Sequence, residues 1–294
     1  MKSEITNEEF SRTVHPKENS RYIFALIITI PVIIVGVVLT FSTFGLALIF
    51  IGFIILSTWF ILNILQASLI ANSVRVSEYN FPEILQIYSE VKNALSYDKE
   101  IPIYVVQDGD INAFLSIFFR TKFIILNSVL IEGINKEEDY VQIKWIIARF
   151  IGAFRAKHFR MNIFKIMIDS IEKIKIFNFF ILPYERAIIY TGDNIGLLLC
   201  EDLEQVMIAF DKFMVGNQLC QKINMNGIFE QSKDVENSFF ALLARLSSTH
   251  PHLTSRYLNL LSFAKKEFPD QYESYVKKYD VYSKMNIDSM LTPY

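Results

Sequence analysis

The chain of 294 residues has only two cysteines, Cys200 and Cys220. With no C-x-x-C pair and no ladder of spacings, they indicate neither a disulfide framework nor a cysteine zinc site, and a reducing compartment fits best. Neither a P-loop nor a G-x-G-x-x-G occurs, and Gly192 and Gly196 of Tyr190-Thr191-Gly192-Asp193-Asn194-Ile195-Gly196 fall inside a helical pattern. Phosphate cradling by those loops is thereby excluded. No charge of one sign dominates: 29 basic and 31 acidic residues give a net charge of −2. Without a global field, nucleic acid is not an expected partner. Internal repeats, low-complexity tracts and flexible linkers are missing as well.

The most informative absence is local. From Tyr22 to Val74 there is not one Asp, Glu, Lys or Arg, and Ile, Leu, Val and Phe dominate. A membrane-crossing helix needs roughly 20 apolar residues, so the stretch predicts two crossings, about Tyr22–Phe41 and Gly45–Ile70, with the turn at Ser42-Thr43-Phe44-Gly45. Pro31 predicts a kink in the first, tolerated in lipid where neighbouring groups satisfy the freed carbonyl. A cleaved signal peptide fits poorly, because about 20 polar residues precede the first span and no A-x-A-like site follows it. Lys2, Arg12, Lys17 and Arg21 precede the hairpin and Arg75 follows it, while the turn is uncharged. The positive-inside rule then places both termini in the cytoplasm of a multi-pass membrane protein.

Beyond Val74 the composition becomes mixed. Pro82 opens an amphipathic helix through Val91, and the short β-branched runs Pro102–Val106 and Lys122–Asn127 read as strands of a small sheet. Helical patterns follow at about Lys136–His158, Asn162–Phe177, Tyr184–Leu199, Glu204–Val215, Val235–Leu246 and Thr254–Glu267. The expected organisation is a cytoplasmic tail over 1–21, two transmembrane helices over 22–71, one mainly α (α+β) domain over 75–267, and a polar, tyrosine-rich tail over 268–294.

Among the four histidines, His250 and His252 flank Pro251 at i and i+2, which does not put two imidazoles on one helix face. A loop or helix-capping role fits them better. Ser247, Ser248 and His250 are too close in sequence for a catalytic triad and lack an acidic orienter.

Several segments in order do suggest a chemistry. Behind the hairpin come Ile111-Asn112-Ala113-Phe114, then Ile146 to His158, then Arg186 to Asp193, then Ser248-Thr249-His250-Pro251-His252 with Arg256. This order resembles the HtpX-like, membrane-anchored zinc metallopeptidases, over roughly Tyr22 to Leu261. The resemblance implies a zincin-like domain in which an H-E-x-x-H helix grips zinc, its Glu serves as base, and a Glu on a later helix is the third ligand. Aligned on Ile151-Gly152 and His158, the motif positions are Arg149, Phe150 and Ala153, and the third ligand falls at Ile189. Every ligand and the base are replaced. The implied pseudopeptidase has no catalytic residue, metal or cofactor, and its former cleft is lined by Asn112, Ala113, Phe114, Asp193, His250 and Arg256. Arg149 would repel a dication and could pair instead with Asp193, which in the family supports the site. Partners implied are the lipid bilayer and a protein, peptide or active protease. Two other readings stay open: a hydrolase with a non-standard metal site drawn from His158, Asp193, Cys200, His250 and His252, and a membrane scaffold or immunity-type protein.

Overall fold

In the computed structural model the protein is mainly helical with one small sheet. It describes residues 2, 4–107, 113–118, 121–131, 137–158, 175–248 and 250–278. Helices α2 (Glu18–Ser42) and α3 (Leu46–Ala71) are both long and apolar enough to cross a membrane; only the start of α2, about Ala25 and Thr29, is buried against the rest of the protein, and none of α3 is. The turn between them puts Phe44 and Gly45 in the left-handed region, with φ of 52° and 85°. Only at Gly45 is that free of Cβ strain. Helix α2 runs on through Pro31 as one continuous helix.

The segment before α2 is packed, contrary to its reading as a tail. Thr6 caps α1 (Asn7–Thr13) in a reciprocal capping box with Glu9. Ile5, Thr13, His15 and Glu18 are buried. Asn194 donates to the Thr13 carbonyl at 3.1 Å, and Arg155 stacks on Phe10 at 4.4 Å.

After β1 (Val74–Arg75), helix α4 (Pro82–Ala94) turns Ile84, Ile87, Tyr88, Val91 and Ala94 inward at helical spacing. Strands β2 (Ile103–Val106), β3 (Ala113–Phe118) and β4 (Thr121–Asn127) complete a sheet of order β1-β2-β4-β3. β2 and β4 are parallel; β3 is an antiparallel edge with Phe114 opposite Ile125. The sequence reading lacks β1 and β3. Short α5 (Ser128–Ile131) leads to α6 (Glu137–Arg155), and α7 spans Lys175–Cys200. The expected helix at Asn162–Phe177 lies mostly outside the described residues.

Asp202 caps α8 (Leu203–Val215) by accepting from the Gln205 amide, and Gly216 ends it with φ of 89°. The single helix expected over Val235–Leu246 is two, α9 (Met225–Asn237) and α10 (Phe239–Ser247). Ser238 separates them: its backbone is extended and its hydroxyl accepts from the Ala241 amide, starting a new helix. Helix α11 (Leu253–Glu267) is buried along most of its length, and α12 (Pro269–Lys278) buries Tyr272, Tyr275 and Val276. The predicted carboxyl-terminal tail therefore begins with a packed helix.

Candidate functional site

Three glycines let α6 and α7 approach closely. A Cβ on Gly196 would meet Trp145 at 2.5 Å, one on Gly152 would meet Ile195 at 2.6 Å, and one on Gly192 would lie 3.5 Å from the Arg149 carbonyl. Gly192 and Gly196 thus serve helix packing. The Trp145 indole reinforces the seam by donating to the Asp193 carbonyl at 3.2 Å.

At that seam lies a buried charge cluster. Asp193 is fully buried, and Arg256 of α11 grips both its carboxylate oxygens, Nε to Oδ2 at 2.9 Å and Nη2 to Oδ1 at 3.0 Å. This bidentate fork is the strongest geometry open to a carboxylate and a guanidinium. Arg149 of α6 approaches from the other side, its Nε 2.5 Å from Oδ1. That N–H is not aimed along a hydrogen bond, and Nε and Nη1 have no hydrogen-bond acceptor among the described residues. Its contact with Asp193 is therefore an ion pair without directed hydrogen bonds. Aromatic faces take up the remaining charge: the Arg149 guanidinium lies 4.8 Å from the Trp145 ring, 5.7 Å from Phe150 and 5.8 Å from Phe213. Arg256 lies over Phe210 and the same Phe213, at 4.9 and 5.5 Å. Burial pushes Arg149 down to about 10, Asp193 opposing that shift and Arg256 adding to it. Arg149 remains a cation at neutral pH, and two arginines facing one aspartate leave the cluster a net charge of +1.

The sequence expectation that Arg149 pairs with Asp193 agrees with this geometry. Ala153 follows Arg149 by one turn on α6, and Ile189 precedes Asp193 by one turn on α7. Zinc requires imidazole, thiolate or carboxylate donors. Arg149, Phe150, Ala153 and Ile189 offer none, so these residues do not fit the ion. No three His, Cys, Asp or Glu side chains among the described residues gather to hold a metal. Cys200 is buried and its thiol is pushed up to about 12 by burial, the wrong direction for a ligand or nucleophile.

The other expected lining residues are placed apart. Asn112 lies outside the described residues, and Ala113 and Phe114 belong to edge strand β3. His250 is exposed in the bend before α11, where its amide donates to the Ser248 hydroxyl. It is not the cap of that helix. The capping position is His252, whose side chain makes no capping hydrogen bond.

A second buried cluster escaped the sequence reading. On α7, Thr191 donates to Glu18 at the start of α2 and accepts from the His15 amide at 3.0 Å. His158, past the end of α6, puts Nε2 3.0 Å from Glu18, while its carbonyl accepts from the Tyr184 hydroxyl. As with the Arg149 contact, the approach of His158 to Glu18 lacks hydrogen-bond alignment among the described residues. The His15 ring stacks on Tyr190 at 5.2 Å. His15 and Glu18 sit just before the apolar stretch, and their assignment to a tail hid them. No protein-family model matches the chain, and no match is found among curated proteins or solved structures.

Proposed function

We propose that the protein is a catalytically silent, zincin-like membrane protein of the HtpX-like kind, in which Arg149 occupies the place of the metal cation. The observation that carries this reading is the buried Arg149–Asp193–Arg256 cluster. A fixed guanidinium neutralises the acid that would otherwise support a metal centre, so the two helices keep their spacing with no ion between them. Water activation needs both a metal and a base, and Phe150 supplies no base. Function then rests on binding: the domain holds a peptide, a membrane-protein segment or an active protease, from the cytoplasmic side of a bacterial cell membrane with both termini inside. The two apolar helices and the basic residues flanking them support that placement. The test is hydrolysis of casein and of unstructured peptides by the purified full chain, with and without chelator. No cleavage above background is expected; chelator-sensitive cleavage would promote the hydrolase reading instead.

A further inference from the structure

Helix α10 bears an exposed apolar face. Phe239 and Phe240 are 66% and 79% exposed and Leu243 is 46% exposed, while the two rings meet edge-on with centroids 5.8 Å apart. Phe240, Leu243 and Ala244 share one side of the helix by their spacing, and Ala244 is exposed too. Water-facing patches of this kind mark interaction surfaces.

The fold indicates what meets this one. The chain leading into α2 runs antiparallel to α7, with Thr13 at Asn194, His15 and Glu18 at Thr191, Tyr22 on Tyr184 and Ala25 against Ile181. Arg21, the last charge before the apolar stretch, donates to the Pro183 carbonyl at 3.2 Å. Pro183 and Tyr184 therefore mark the level at which α2 enters the bilayer. Arg186 stands about 4.5 Å farther along α7, at 1.5 Å per residue. Its guanidinium donates to the Ser248 carbonyl at 2.9 Å and so ties the end of α10 to that level.

We infer that α10 lies in the interface of the bilayer that the hairpin spans, with Phe239, Phe240 and Leu243 at the boundary between headgroups and acyl chains. The inference rests on the reading of α2 and α3 as membrane spans. Helices that lie in that boundary bury a face of Phe and Leu into the acyl edge. By contrast α12 marks the far side: Gln271 donates to the Glu201 carbonyl, just past the opposite end of α7.

The test uses the full chain in liposomes of phosphatidylcholine and phosphatidylglycerol. Nitroxide labels are placed singly at Phe240→Cys, at Val35→Cys in α2 and at Ser274→Cys in α12, in a Cys200→Ala, Cys220→Ala background. The ratio of oxygen to nickel-chelate collision is read at each. At Phe240→Cys it is expected several-fold above Ser274→Cys and below Val35→Cys, with Phe239→Cys reproducing it should Phe240→Cys fold poorly. A value at 240 equal to that at 274, with 35 in lipid, overturns this inference alone. A value at 35 equal to that at 274 overturns the membrane reading together with it. Shielding of 240 from both reagents means a protein surface covers α10, and also overturns it.

Discussion

Thr191 and Asp193 are two residues apart on α7 and roughly 200° apart around it, and their surroundings differ accordingly. The Thr191 side faces the amino-terminal segment: its hydroxyl donates to Glu18 at the root of the hairpin and accepts from the His15 amide, while His158 approaches Glu18 from past the end of α6. The Asp193 side faces α6 and α11 and holds two guanidiniums under a lid of aromatic rings. One face fastens the apolar hairpin to the domain; the other fixes the interior where the resemblance implies a metal. Each face buries an acid, yet only Asp193 has guanidiniums beside it, one of them in a bidentate fork. Charge removed from the second face should therefore cost far more.

The largest effect is expected for Asp193→Ala, which leaves two buried arginines with no counter-charge. A loss of about 4 kcal/mol is expected on breaking such a cluster, read as a lowered Tm in detergent. The same scan separates the two arginines. Arg256→Met should cost about 3 kcal/mol because the fork is lost, whereas Arg149→Met should change stability by less than about 1 kcal/mol, since Asp193 keeps its fork to Arg256 and no buried charge is left uncompensated. Equal losses would break the distinction between Arg256 as the structural clasp and Arg149 as the occupant of the cation's place.

Asp211 on α8 offers a contrast, a buried carboxyl whose Oδ1 has no hydrogen-bond partner among the described residues. Burial pushes it up to about 7 from an ordinary 3.8. A raised acid pKa makes the folded state bind the proton more tightly, so its stability is fullest below pH 4 and declines as pH rises through about 7. Asp211→Asn should accordingly gain about 2 kcal/mol at pH 8 relative to the parent, and the gain should shrink toward pH 5 in paired melting curves. The smallest effect is expected for Glu18→Gln, about 1 kcal/mol. It should appear as faster hydrogen exchange at the start of α2 and around Tyr190, with the Asp193 face unchanged.

What could be seen in the sequence follows from the range of each signal. The hairpin was legible because a run without charge is a local property, and the Arg149–Asp193 pair because the resemblance puts a cation where it implies a metal ligand, and a buried cation calls for an anion. Helix α4 was legible from its spacing. Edge strand β3 was not, because Ala113–Phe118 lacks clean alternation and its register is set by pairing with β4. The parallel β2–β4 pairing likewise depends on contacts distant in sequence. The tails were misread from polarity: Tyr272, Tyr275 and Val276 have helical spacing, but lysines and acids around them concealed the face that packs on α11. The Glu18 cluster joins residues more than 170 positions apart, and no local pattern announces it.

The account turns on Arg149 in the cation's place, and the most direct measurement is the zinc content of the unmodified full chain, purified without chelator and equilibrated with zinc before desalting. With Arg149, Phe150, Ala153 and Ile189 where ligands and base would stand, only trace, substoichiometric metal is expected. About one zinc retained per chain would contradict it.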